Sequence, residues 1–485
     1  MLNILNDLLW GKVLIVTLVA IGLLFTCSSR FVQLRHFAAM FGILRSAFQH
    51  QKGQISSFQA LTLSVAGRVG AGNIAGVAVA ITLGGPGAVF WMWMIGLLGM
   101  ATSFFECTLA QAFKVRGNDG LYRGGPAFYI KSGLKSPKLA VVFSILLLVT
   151  FGFGFSALQS YTIATSLNDT LGLPAYACAI LIGGLLAAII FGGLQRIARF
   201  AELLVPVMAL GYLAMTLYIL GSQVERIPEA LLMIFNSAFG LDQALGGGVG
   251  AAILHGIKRG LFSNEAGLGS APNVAAVAAV PHPVNQGIVQ AFSVFIDTLV
   301  LCSCTAMIVL LSDAYQPGAS LGGIALTQAA MAEHVGEWGR VFVSLALFFF
   351  FFCFTSIIYN YYLGENSLSF MGLDKPLAVA GFRLLTLVLI LWGALQDLNT
   401  VFAFADLTMA LLALVNLGAL VLLLKVGLRL MRDYERQRAA GVARPGFDPR
   451  LFPDLDIDPQ AWPATPGPVA PTEEADAASA QSQPS

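Results

Sequence analysis

Two runs of this sequence set asparagine beside glycine inside otherwise apolar stretches, and both could do chemistry with bare backbone. The first is Arg68-Val69-Gly70-Ala71-Gly72-Asn73-Ile74-Ala75-Gly76; the second is Arg259-Gly260-Leu261-Phe262-Ser263-Asn264-Glu265-Ala266-Gly267-Leu268-Gly269. Glycine permits the backbone angles that interrupt a helix and lets a small ligand approach the chain. At an interruption, free N–H groups attract a carboxylate and free carbonyls attract a cation. The N–H groups of Gly70, Ala71 and Gly72 are therefore expected to hold a carboxylate. The side-chain carbonyl of Asn73 suits Na⁺, a hard cation that prefers oxygen; the competing reading is a cap on the following helix. In the second run Phe262 is expected to close over a small side chain, with its carbonyl accepting from an ammonium and Ser263 and Asn264 beside it.

Other polar residues stand alone in apolar surroundings. Gln159, within Phe155-Ser156-Ala157-Leu158-Gln159-Ser160, carries an amide that can donate to a carboxylate and accept from an ammonium. Its plainer use is an interhelical hydrogen bond. Asp297 needs a cation, a proton or a structural partner. Glu265 is expected in an ion pair with Lys258, Arg259 or Arg68 rather than against a ligand. Glu106 and Asp406 raise the same question.

The elements that must position these groups are membrane helices. Of 485 residues, 57% are hydrophobic and only 11% charged, against roughly a quarter charged in soluble domains. A water-soluble fold could not cover that much apolar surface. A spanning helix needs roughly 20 mostly apolar residues. Eleven stretches qualify: about 8–28, 56–84, 87–113, 138–164, 174–192, 197–221, 244–280, 286–312, 338–363, 377–396 and 399–426. The stretches 31–51 and 227–239 read as amphipathic helices on the membrane surface. Residues 431–485 read as a disordered cytoplasmic tail, since the Pro-, Ala- and Ser-rich end cannot bury a core.

Basic residues fix the orientation. With the N-terminus outside, 21 of the 27 Lys and Arg face the cytoplasm, among them the seven from Lys425 to Arg450. The C-terminus is then cytoplasmic and the protein is a multi-pass plasma (inner) membrane protein. The run 8–28 lacks a basic leader and a small-residue cleavage site, so it is expected to be a retained span.

Several classes fall away. The six cysteines lie in apolar stretches without a paired motif, so neither a disulfide framework nor a metal site is expected beyond Na⁺. Scattered histidines and the lack of HExxH, GxSxG or phosphate-loop motifs argue against an enzyme and a cofactor. At net charge +1 the chain offers no overall footprint for nucleic acid.

Set aside the first span and ten remain in two halves of five. Residues 56–225 and 226–430 each start with a long glycine-broken span followed by four ordinary ones, after 1–55, which hold the extra span and a surface helix. Five spans is odd, so the second half inserts upside down, and such inverted repeats place substrate at mid-membrane between discontinuous helices.

At these segments the sequence resembles the alanine or glycine:cation symporter family. The resemblance rests on Ser56-Ser57-Phe58-Gln59-Ala60-Leu61, Gly70 to Ala78, Tyr122-Arg123-Gly124-Gly125-Pro126-Ala127 and Arg259 to Pro272, and it covers roughly residues 5 to 435. It implies an all-α, LeuT-like fold of eleven helices and Na⁺- or H⁺-coupled uptake of alanine or glycine across the bilayer. It also points to Gln159 at the substrate. Thr355 and Ser356 resemble the hydroxyl pair of the cation site in LeuT-like transporters, where they would join carbonyls near Val69 and Gly70; hydroxyls on membrane helices also bond their own backbone.

Overall fold

The computed structural model describes residues 2–47, 54–117, 120–190, 193–240, 248–318, 322–348 and 352–462. Helix α1 (Leu5–Ser28) lies against the others at one end and is followed by α2 (Phe37–Ala47). Helix α3 (Ser57–Arg68) starts on a capping box, in which the Ser56 hydroxyl accepts from the Gln59 N–H and the Gln59 amide oxygen accepts from the Ser56 N–H. It stops at Val69, whose ψ of 100° is extended. The chain resumes as α4 (Gly72–Gly84) at an angle of 50°.

Next come α5 (Gly87–Ala112), a two-stranded hairpin of β1 (Val115–Arg116) and β2 (Tyr122–Arg123), and the short α6 (Pro126–Ser132). Three further helices complete this half: α7 (Pro137–Leu171), α8 (Ala175–Ile190) and α9 (Gln195–Ser222). Surface helix α10 (Ile227–Ala238) precedes the broken pair α11 (Val249–Asn264) and α12 (Ala271–Ala275), then α13 (Pro283–Leu310) and the short α14 (Gly323–Val335). After these come α15 (Trp338–Phe348), α16 (Phe352–Phe370), α17 (Pro376–Ala394), α18 (Asn399–Leu422) and α19 (Leu424–Ala439).

Among the described residues, seven straight helices are long and apolar enough to cross a membrane, and the bent pair α3–α4 makes an eighth. The other three expected spans are also helical but differ in form. Helix α8 has 16 residues, α11–α12 is broken, and α15 and α16 lie on either side of residues 349–351, which are outside the described set. Large apolar side chains project from the outer helices, with Leu203 70%, Leu210 65% and Leu384 65% exposed. That belt suits lipid and not water.

The second break begins at Glu265, in the left-handed region at φ 55°, and continues through Gly267 at φ 90° and Gly269 at φ 81°. Any side chain at those two glycines would be strained, and a Cβ on Gly269 would lie 2.6 Å from Pro126 Cγ. Among the described residues four helices carry a wide, i→i+5 turn: Leu9–Leu14, Gly72–Gly76, Leu148–Phe155 and Phe295–Cys302. Such turns are often found at functional sites.

One expectation is corrected. The tail expected from residue 431 is instead ordered packing as far as 462. Helix α19 runs to Ala439, and Phe447, Phe452, Ala461 and Trp462 beyond it are buried. Three aromatic rings supply apolar area that the Pro-, Ala- and Ser-rich composition masks. Residues 463–485 lie outside the described set.

Candidate functional site

The two breaks touch. A Cβ placed on Gly72 would lie 3.0 Å from the Ser263 Cα and 3.1 Å from the Phe262 ring, and one on Gly76 would lie 3.8 Å from that ring. Only glycine lets the first break approach the second so closely. Phe262 is held by Phe155, 4.8 Å between ring centroids, and by Phe402 at 5.8 Å.

Around the first break the backbone is met by side chains from α7 and α16 and by Asn73 of α4 itself. The Ala71 N–H donates to Gln159 Oε1 at 2.9 Å. The Gly70 N–H donates to Asn73 Oδ1 at 3.0 Å. The Ser356 hydroxyl donates to the carbonyls of Ala66 at 3.0 Å and Val69 at 3.3 Å, and the Thr355 hydroxyl to Ala66 at 3.3 Å. These two hydroxyls thus reach across to α3, beyond their own helix. Two hydroxyls and two main-chain carbonyls thus lie within hydrogen-bond distance of one another, oxygens of the kind a hard cation prefers.

Asp297 joins the two breaks from the wide turn of α13. It accepts from Asn73 Nδ2 at 2.7 Å, Ser263 Oγ at 2.8 Å and Thr298 Oγ1 at 2.8 Å. Among the described residues it makes no ion pair. Three neutral donors satisfy the carboxylate's geometry, and the buried Arg68 is a cation that acts on its charge from beyond ion-pair distance. The side chains of Asn73, Ser263, Asp297 and Ser356 are all fully buried, and Gln159 and Phe262 nearly so.

The structure therefore brings together Val69, Gly70, Ala71, Gly72, Asn73, Gln159, Phe262, Ser263, Asp297, Thr355 and Ser356. It does not bring Asn264 with them. That side chain turns to its own loop, accepting from the Ala266 N–H at 2.9 Å, and faces Gly99 of α5. The proposed cap by Asn73 on α4 is also revised, since its amide oxygen reaches back to Gly70 and its nitrogen across to Asp297. Among the described residues Glu265 makes no ion pair with Lys258, Arg259 or Arg68: it accepts from the Ser270 hydroxyl at 2.6 Å and feels Arg68 from a longer distance, while Lys258 and Arg259 reach Asp406 Oδ2 at 2.7 Å. Sequence distance hid that cluster, because Asp406 lies 147 residues from Arg259.

Sequence reasoning missed Cys302 and the short helices α6 and α14. Cys302 Sγ lies 3.3 Å from Asn73 Nδ2 and 3.1 Å from Ser263 Oγ, the same two side chains that reach Asp297. In a regular helix residues i and i+5 diverge; the wide turn places both on one face. No sequence pattern announced that turn. Helix α14 carries Thr327, which donates to the Ile74 carbonyl at 3.1 Å beside the first break, and Gln328, which reaches Ser166 and Thr170 of α7. Its 13 residues are too few to register as a span.

Two further contact groups join helices around the breaks. The Lys258–Arg259–Asp406 cluster packs with the Phe402 ring, and Trp10 of α1 donates to the Asp406 carbonyl at 3.2 Å. Asn366 donates to the Gly124 carbonyl at 3.0 Å and to Asn273 Oδ1 at 2.7 Å.

The profile of the sodium:alanine symporter family matches residues 1–449. The probable sodium/glutamine symporter GlnT of Bacillus subtilis (strain 168) is 44% identical over 455 residues, covering 93% of each chain. The sodium/proton-dependent alanine carrier protein of Bacillus sp. (strain PS3) is 36% identical over 406 residues, covering 80% of this chain and 89% of that one. The solved manganese transporter of Eremococcus coleocola shares the fold at 15% identity, with a TM-score of 0.51 over 74% of this chain and 76% of its own. The chain belongs to the sodium:alanine symporter family.

Proposed function

We propose that this protein imports small neutral amino acids, alanine or glycine, together with Na⁺ by alternating access. The observation that carries the reading is the contact of the two breaks beside a group of four oxygens. Carbonyls of Ala66 and Val69 face the hydroxyls of Thr355 and Ser356, while the Gly70–Gly72 backbone faces Phe262 and Ser263. In this reading the eleven helical stretches span the inner membrane with the N-terminus outside and the C-terminus in the cytoplasm. In it the two halves form a LeuT-like inverted repeat of five plus five.

The roles follow from the chemistry. Gln159 already accepts from the Ala71 N–H, so an arriving carboxylate takes its place and the freed amide turns to donate to the newcomer. The Ser263 and Phe262 carbonyls and Asp297 supply the acceptor side for the ammonium and a cation. The glycines at 70, 72 and 76 and the ring of Phe262 leave room only for a small side chain. An H⁺ in place of one Na⁺ is the second reading, and the fully buried carboxylate of Asp297, without an ion pair among the described residues, favours it.

The test is uptake of labelled alanine into proteoliposomes. Accumulation is expected with an inward Na⁺ gradient and not with choline in its place, with glycine competing better than serine, D-alanine or glutamine. Uptake indifferent to both Na⁺ and H⁺ gradients overturns the coupling claim, and a dominant effect of glutamine moves the substrate assignment. Ser356→Ala removes one of these four oxygens. It is expected to raise the Na⁺ concentration for half-maximal uptake roughly tenfold, a loss of about 1.4 kcal/mol, while thermal stability of the purified protein changes little.

A further inference from the structure

The ordered segment after α19 grips the same stretch that follows the second break. We propose that residues 440–462 form an autoinhibitory clasp, anchored by Trp462 and seated on Lys114, that holds the end of the second broken helix closed. Part of this segment, 450–462, lies beyond the portion that matches the family.

Trp462 Nε1 donates to the Gln111 carbonyl at 3.2 Å, and its ring lies 4.2 Å from the Lys114 Nζ. Tyr122 of β2 covers the same ammonium at 3.9 Å. The strap is fastened along its length. The Phe447 N–H donates to the Pro281 carbonyl at 2.9 Å, Asp454 pairs with both terminal nitrogens of Arg429, and Asp458 accepts from the Arg116 N–H at 3.0 Å. Phe447 stacks edge-on against Trp462 at 5.0 Å and against His282 at 5.6 Å.

What lies beneath the strap gives it mechanical meaning. Gln111 Nε2 donates to the carbonyls of Ala275 and Ala278, and Lys114 Nζ donates to Ala278 at 3.2 Å. The Ala279 N–H donates to Ile55, just before α3. Residues 275–279 thus tie the end of α12 to the start of α3, and Trp462 holds the backbone of Gln111 and covers the ammonium of Lys114, the two residues that make the tie. Any opening of this end that moves α12 against α5 must break it.

Lys114 makes the clasp sensitive to pH on that face. Burial pulls its pKa from 10.5 down to about 7, since the ammonium has only a carbonyl and two ring faces for partners. The other charged or titratable groups on the surrounding elements are Arg116, Tyr122 and Arg123 of the hairpin, Asp454, Asp456 and Asp458 of the strap, His282 of α13, Asp433 and Arg429 of α19, and none ranks among the causes of that shift. A released Lys114 regains water and its ordinary pKa. Opening therefore takes up a proton between the clasped and free values, and the clasp tightens as pH rises above about 7 and is weakest below it.

The first measurement is hydrogen–deuterium exchange on the full chain and on Trp462→Ala at one pH. Faster exchange at 275–282 as well as at 447–462 is expected; faster exchange confined to 447–462 overturns the clasp. If the variant does not fold, a chain ending at residue 446 takes its place. The second is amino-acid counterflow in proteoliposomes, which rests on the proposed transport activity. Trp462→Ala is expected to run several-fold faster than the parent, and equal or slower counterflow overturns the inhibitory role. Absent counterflow in the parent itself overturns the transport reading and leaves the exchange result to judge the clasp. Lys114→Met keeps the apolar stem; it is expected to retain protection at 275–282 while counterflow loses its dependence on pH at that face. Full pH dependence in Lys114→Met overturns the part given to the lysine.

Discussion

Gly72→Leu is expected to cut amino-acid uptake by roughly 10- to 100-fold while the purified protein stays folded and monodisperse. The cause is contact between two main chains. A Cβ at this position would sit 3.0 Å from the Ser263 Cα, and backbone cannot rotate away as the end of a side chain can. The larger side chain must push α11 from α4, and overpacking of this kind costs about 1–3 kcal/mol. Because each 1.4 kcal/mol is a factor of about ten, the displacement appears directly in the uptake rate. The neighbouring Gly70 offers a contrast. There a Cβ would meet Ser356 Oγ at 2.6 Å and Gln159 Nε2 at 2.8 Å, both at the ends of side chains. Gly70→Ala should consequently cost less than Gly72→Leu, and its loss should fall mainly on Na⁺ dependence. Initial rates of alanine uptake, normalised to reconstituted protein, decide the matter. A Gly72→Leu rate within about twofold of the parent would remove the claim that the breaks must touch.

Asp297→Asn has the second large effect, and its direction distinguishes the two coupling ions. The side chain keeps its size but replaces one acceptor oxygen with a donor. Oδ2 now accepts from both Ser263 and Thr298, and Oδ1 from Asn73, so an amide brings donor against donor on one side. Each buried group left unpaired costs about 1–3 kcal/mol. If the carboxylate charge serves Na⁺, the variant needs more than about tenfold higher Na⁺ for half-maximal uptake. That is the expected result. If the carboxyl carries the coupling proton, the amide mimics its protonated form. Na⁺ dependence is then unchanged, the dependence of uptake on pH disappears, and the Na⁺ role of Asp297 is overturned. Asp297→Ala, which strands all three donors, should lower thermal stability as well as uptake, whereas Asp297→Asn should lower stability less.

Helix and break positions were legible from local features. Twenty apolar residues demand a helix in lipid, because its backbone must satisfy itself there. Glycine and asparagine inside such a run mark where it stops. Both interruptions appear where the glycine-rich runs stand, at Val69–Ala71 and at Glu265–Ser270. Short elements were less visible. Helices α6 and α14 have 7 and 13 residues and depend on neighbours for burial, so no periodic signal sets them apart from loops.

What the chain order could not disclose is which side chains meet. Asn73 finds Asp297 across 224 residues, Ala71 finds Gln159 across 88, and Ser356 finds Val69 across 287. Each residue could be flagged alone as polar at membrane depth, but its partner is chosen by packing. That is why Glu265 was expected beside Lys258, Arg259 or Arg68, while the fold gives the first two of those cations to Asp406. It is also why composition marked the C-terminal segment as disordered although Phe447, Phe452 and Trp462 dock on the rest of the protein. Backbone geometry and apolarity act over a few residues and are written locally. A buried polar group accepts whatever partner the assembled helices bring within about 3 Å, and only the tertiary structure decides which one that is.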